Sequence, residues 1–192
     1  EFITVQDQNT TGLTGIRRTS ETDYEDELSE FDRWSKFESM GFTKKDQNSL
    51  GARGQGKTIM LSCSKEYEMF YDSLTSEEGY RLGGTITPGN DNRILGDETW
   101  KETFARQELI KQTNLNPITE TGTRIIIIKP TKESLEFIRN GGLEKAIIET
   151  WFIPILKNRL EVIIDVNNKP KLIKLPKKIS DLPSNDGHKI KT

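Results

Sequence analysis

Apolar positions in this chain fall in short runs between long polar stretches, and the spacing inside each run identifies its element. Phe2-Ile3-Thr4-Val5-Gln6 alternates at period two and predicts a strand that delivers Asp7 at its end. Tyr24, Leu28, Phe31, Trp34, Phe37 and Met40 recur every three or four residues, while Glu21, Asp23, Glu25, Asp26, Glu27, Glu30 and Asp32 take the other faces. That pattern predicts a helix with one apolar stripe, facing a core or a lid surface, with partner binding as the sharper alternative. Its acids read as a solvated face and helix N-terminal charges. Thr58-Ile59-Met60-Leu61-Ser62-Cys63 continues a short helix that begins near Lys57. Residues 66–74 and 80–86 predict a strand pair across the turn Thr75-Ser76-Glu77-Glu78-Gly79. A helix starting at Asp97 or Glu98 carries Trp100, Phe104, Leu109 and Ile110 and closes near Asn114-Leu115-Asn116-Pro117.

Further on, Gly122-Thr123 opens the apolar strand Arg124-Ile125-Ile126-Ile127-Ile128, and Thr131 is placed to cap a short helix ending at Gly141-Gly142. Residues 143–156 predict a longer helix that Pro154 bends or ends early. Residues 159–166 and 171–175 form a hairpin across Asn167-Asn168-Lys169-Pro170. This order of elements predicts an α/β chain, an α+β two-layer sandwich whose mixed, mostly antiparallel sheet carries helices on one face. No internal repeat is visible. Residues 1–175 are expected to form one domain. From Pro176 the composition shifts to Lys177, Lys178, Pro183, Ser184, Asn185, Asp186 and Gly187, so 176–192 read as a polar linker or tail.

Composition narrows the class. With 32% hydrophobic and 30% charged residues in 192, the chain keeps a strongly charged surface around a limited core. The lone Cys63 rules out an internal disulfide and suits a reducing compartment, so a cytoplasmic protein is expected. No apolar run approaches the ~20 residues that span a bilayer, and membrane insertion is not expected. Lys157, Lys169, Lys171 and Lys174 make the C-terminal end basic, which would suit nucleic acid; at a net charge of -2 a solubilising surface is the stronger reading. His188 is the single histidine and lies in the polar tail, so histidine-based nucleophilic triads and histidine-rich metal sites are excluded within this chain.

The candidate chemistry sits in Leu50-Gly51-Ala52-Arg53-Gly54-Gln55-Gly56-Lys57-Thr58. Three glycines beside a lysine and a threonine make a backbone suited to close approach of phosphate. Read as G-x-x-x-x-G-K-[ST], Gly51 through Thr58 matches the phosphate loop of P-loop NTPases, with Asp165 after Leu160-Glu161-Val162-Ile163-Ile164 as the accompanying carboxylate. That motif must leave a buried strand, and residues 40–49 contain no apolar run of that kind. Read as G-x-x-G-x-G, Gly51, Gly54 and Gly56 stand at the mouth of a helix whose free N–H groups hold phosphate. A non-enzymatic interaction module, its glycine loop only a turn, is the remaining alternative.

Taken in order, Asp7 at a strand end followed by Gly12, the glycine cluster opening a helix, and Gly122-Thr123 opening a later strand resemble the Bergerat ATP-binding superfamily of gyrase B, heat-shock ninety chaperones, sensor histidine kinases and MutL. The resemblance spans roughly residues 2–175. It implies that Asp7 accepts the adenine amine and that Gly12 lets the chain pass beneath the base. By the same resemblance, Thr123 helps hold the adenine end, directly or through water. Gly51, Gly54, Gln55, Gly56, Lys57 and Thr58 would wrap the phosphates with Arg53 as auxiliary, and residues 12–49 would form a lid. Where the family reads Asp-x-Gly-x-Gly, this chain has Asp7-Gln8-Asn9-Thr10-Thr11-Gly12. The family's Glu-x-x-x-Asn helix, which supplies the water-activating glutamate and the Mg²⁺ ligand, precedes the aspartate strand and is not found before Phe2. The chain is therefore expected to be a piece of a larger ATPase that hydrolyses ATP poorly by itself. It would pass a nucleotide-closed state to other domains or to a second copy, in a setting such as DNA processing or defence.

Overall fold

A computed structural model describes residues 1–15, 33–38, 55–85 and 102–175. The chain divides into two compact units, Glu1–Thr131 and Lys132–Thr192. In the first, β1 (Phe2–Gln6), β2 (Met69–Thr75), β3 (Gly79–Thr85) and β4 (Gly122–Ile128) form a sheet in the order β1-β4-β2-β3. Every pairing in it is antiparallel, with Phe2 opposite Ile128, Phe70 opposite Ile126 and Asp72 opposite Leu82. The helices are α1 (Arg33–Glu38), α2 (Gln55–Ser62) and α3 (Glu102–Thr113). The chain is thus an α+β fold with a mostly antiparallel sheet, as its pattern predicts.

The helices cover both faces of the sheet, where one covered face is expected. The reason lies in β4: Ile125 through Ile128 is apolar at every position, so alternation sends apolar side chains to both sides. On one face Phe70, Leu82, Ile126 and Ile128 pack with Leu109 of α3. On the other, Met69, Tyr71, Ile125 and Ile127 pack with Trp34 of α1 and Leu61 of α2. Trp34 and Phe37 both meet the Tyr71 ring, at centroid separations of 5.5 and 4.9 Å. Where it is described, the apolar stripe of the first helix therefore faces a core. Each such fully buried side chain contributes roughly 1.5–3 kcal/mol.

Local chemistry explains the element ends. Residues 66–68, expected as strand, instead lie ahead of β2, where the Ser64 hydroxyl accepts the amides of Glu66 and Glu68, at 3.3 and 3.0 Å. Asn114 closes α3 with φ 57, ahead of Pro117. The second unit contains α4 (Lys132–Arg139), α5 (Gly142–Leu156) and the hairpin β5 (Ile163–Asp165) and β6 (Pro170–Leu172). Gly141, at φ 79, separates the two helices, and α5 kinks at Trp151 just before Pro154. Asn167 and Asn168, at φ 55 and 60, turn the hairpin. No described helix is long and apolar enough to cross a membrane.

One buried ion pair runs through the sheet. Arg124 donates from Nε to Asp72 Oδ1 at 3.0 Å and from Nη2 to Asp72 Oδ2 at 2.6 Å, and it also donates to the Asn116 carbonyl at 2.8 Å. The Tyr80 hydroxyl donates to Asp72 Oδ2 at 3.1 Å. Asp72 is completely buried, so this two-point pairing offsets a desolvation cost of several kcal/mol per ion. Asp72→Ala would strand the guanidinium, and urea denaturation should show a loss of about 3–5 kcal/mol. Burial, then the Asp72 charge, raises the Tyr80 pKa well above its ordinary 10.0. The native phenol keeps its proton where the unfolded one loses it. Its contribution is therefore complete below about pH 10 and fades as pH rises above that value. A tyrosinate absorbance titration should show a late-titrating phenol in the native protein that is lost in Tyr80→Phe.

Candidate functional site

Asp7 continues the β1–β4 ladder one residue past Gln6, and there backbone and side chain close a ring with Thr123. The Asp7 amide donates to the Thr123 carbonyl at 2.9 Å, and the Thr123 amide donates back to Asp7 Oδ1 at 2.7 Å. The Thr10 hydroxyl donates to the same Oδ1 at 2.8 Å. Asn9, at φ 58, turns the chain back so that this second donor reaches the carboxylate. Asp7 and Thr10 are exposed, and Oδ2 has no hydrogen-bond partner among the described residues. The result is a carboxylate held at two points through one oxygen.

Beneath it, Ser73 locks the loop to the sheet. Fully buried, its hydroxyl donates to the Gly122 carbonyl at 2.9 Å and accepts the Leu13 amide at 2.7 Å. Two glycines make this closeness possible. A Cβ on Gly12, at φ 69, would lie 2.7 Å from Ser73 Oγ and 2.9 Å from the Leu74 carbonyl. A Cβ on Gly122, at φ 148, would lie 2.3 Å from the Asp7 carbonyl oxygen and 2.6 Å from Oδ1. Gly12 thus packs down on the sheet, while Gly122 admits the aspartate.

The far end of the loop is held from β3. Arg81 donates to the carbonyls of Leu13 and Gly15, bonds Glu78 at 3.0 Å, and lies over the Trp34 ring at 4.7 Å from its centroid. Glu78 Oε1 accepts the Gly15 amide at 2.8 Å, so Gly15 is gripped through both its backbone groups. The Trp34 amide donates to the Thr14 carbonyl at 2.8 Å, and Arg33 reaches the Thr11 hydroxyl. At the opposite end of β4, Lys129 bonds Glu66 at 2.6 Å, a contact that raises the lysine pKa.

Three of the sequence-designated residues, Asp7, Gly12 and Thr123, therefore meet at one end of the sheet. Gly51, Arg53 and Gly54 lie outside the described residues. Gln55, Gly56, Lys57 and Thr58 form the first turn of α2, so the helix opens two residues before the expected position. The amides of Gln55, Gly56 and Lys57 are among those that lack intrahelical acceptors. The opposite end of α2 is tied to the far end of β4: Thr131 donates to the Cys63 carbonyl at 2.8 Å, and Ser64 bridges Pro130. Asp165 belongs to the two-stranded hairpin of the second unit, not to the four-stranded sheet. Among the described residues, no three His, Cys, Asp or Glu side chains converge as a metal site. Sequence reasoning missed Thr10, Ser73 and Arg81. The Asp-x-x-Thr spacing of Asp7 and Thr10 is a local signal for the first. Ser73 and Arg81 carry none, since their roles come from pairing residues some 60 positions apart.

Gly122→Ala is expected to cost about 1–3 kcal/mol and to end slow exchange of the Thr123 amide proton, as read by hydrogen exchange. Gly79→Ala should cost only the left-handed backbone, about 1–2 kcal/mol, because nothing lies within 4 Å of its added Cβ. No family model, no curated protein and no solved structure matches this chain.

Proposed function

We propose that the chain is an ATP-binding module of the Bergerat type, in which Asp7 receives the adenine amine and the first turn of α2 receives phosphate. The observation that carries this reading is the meeting of Asp7 and Gly12 with Thr123, more than 100 residues away, around a carboxylate with one oxygen tied down and the other without a partner among the described residues. A carboxylate suits an exocyclic amine because the amine only donates. Along β4, Thr123 and Ile128 are five residues apart, roughly 17 Å. The eight residues of α2 span about 12 Å. Since the C-terminal end of α2 is fixed beyond Ile128, a helix running back along β4 brings its free amides toward Asp7, within the length of a nucleotide. The reading requires that direction.

Gly51, Arg53 and Gly54 extend the phosphate cradle in this proposal, and Lys57 and Thr58 add charge and a hydroxyl. Bound nucleotide would pass its signal to adjoining domains or a second copy. The P-loop alternative draws no support from the sheet, because its loop must follow a strand of a parallel sheet and the described strands all pair antiparallel.

Asp7→Ala should weaken ATP about tenfold to a hundredfold, in line with the ~1.5–3 kcal/mol of a hydrogen bond to a charged group. Titration calorimetry checks this, and equal affinity for both proteins would remove the adenine role from Asp7.

A further inference from the structure

Asp7 is not merely present at the sheet end; its orientation is set. Free carboxylates rotate and expose both oxygens, and the Thr123 amide alone, at 2.7 Å, would fix one oxygen without fixing the plane of the group. The Thr10 hydroxyl, at 2.8 Å on the same Oδ1, supplies the second point. Thr10 is itself held, its amide donating to the Thr121 carbonyl at 3.3 Å and its hydroxyl accepting the Gly12 amide at 3.4 Å. With Oδ1 occupied twice, Oδ2 offers an acceptor and nothing else.

Resting on the nucleotide reading above, we propose that Thr10 is a positioning residue that sets base selectivity, making the site prefer a 6-aminopurine over a 6-oxopurine. An exocyclic amine meets the fixed Oδ2 with a donor. A 6-oxo group meets it with a second acceptor, leaving two lone-pair-bearing oxygens opposed and an ionised carboxylate unpaired. Sites built to hydrogen-bond a substrate donor reject analogues that lack it far more strongly than apolar pockets reject a size change. Without the Thr10 hydroxyl, Asp7 can turn about its terminal torsion, water can bridge it to a carbonyl, and discrimination falls. Thr10 is exposed and Asp7 retains the Thr123 amide, so losing this hydroxyl leaves the strand-end pairing of Asp7 with Thr123 in place.

The test measures ATP and inosine triphosphate binding by calorimetry on the 192-residue chain, on Thr10→Val and on Thr10→Ser. Wild type should prefer ATP. Thr10→Val should shrink the ATP-to-inosine-triphosphate affinity ratio about tenfold, and Thr10→Ser, which keeps the hydroxyl, should restore it. A role confined to loop stability would weaken both nucleotides equally and leave the ratio alone. Thermal melts verify folding, and if Thr10→Val is unfolded, Thr10→Ala removes the same hydroxyl without β-branching. An unchanged ratio in the variant lacking the hydroxyl, with wild-type preference intact, overturns the role of Thr10 and leaves the nucleotide reading standing. Wild type that binds neither nucleotide, or both equally, overturns the adenine reading of Asp7 and the role of Thr10 with it.

Discussion

The pairing of Asp72 with Arg124 is the constraint from which the rest of the first unit follows. Each charge is buried and is compensated chiefly by the other, with the Tyr80 hydroxyl completing Asp72 and the Asn116 carbonyl completing Arg124. Register is therefore fixed by electrostatics as well as by pattern: sliding β2 against β4 by one position would turn one ion to the opposite face and leave both uncompensated. With Asp72 opposite Arg124, the next pair is Ser73 opposite Thr123 and the one after is Leu74 opposite Gly122. Those are the residues on which the loop carrying Asp7 rests. The candidate site is thus held in place by an ion pair that takes no part in it.

A second layer of constraint comes from the loop itself. Between Asp7 and Gly15 the chain has no regular structure, yet its backbone is bonded at nearly every turn: to Thr123, to Thr121, to Ser73, to Arg81 and to Glu78. Binding residues on loops work when a rigid scaffold holds them, and here three strands contribute to the holding. Left-handed backbone at Asn9 and Gly12 lets the loop fold back on itself.

Much of this was legible in the chain. Alternation in Phe2 to Gln6, the isoleucine run after Arg124 and the asparagine pair at 167–168 located their elements, since each signal is local. The kink before Pro154 was legible for the same reason. Other features were not, because burial and pairing are properties of the assembled sheet. Asp72 and Ser73 adjoin in the stretch Met69-Phe70-Tyr71-Asp72-Ser73-Leu74 and so turn to opposite faces; both are fully buried, Asp72 against Arg124 and Tyr80 and Ser73 beneath Gly12 and Leu13. At the candidate site, Asp7, Gly12 and Thr123 were legible through their order along the chain. The clip from Thr10 had a local signal in the Asp-x-x-Thr spacing, whereas the clamp from Arg81 depends on tertiary geometry that spacing does not encode.

Strand order carries a kinetic consequence. β1 lies against β4, so Phe2 pairs with Ile128 across almost two thirds of the chain, while β2 and β3 form a local hairpin. Contact order at that edge is high, and loop-closure entropy must be met before the pairing stabilises anything. During synthesis the hairpin can form early, but the amino-terminal strand waits, unpaired and apolar, until β4 emerges from the ribosome. Formation of the Asp7 ring therefore belongs among the last steps in folding of the first unit, and within that unit the region that would recognise a ligand is also the region that matures late.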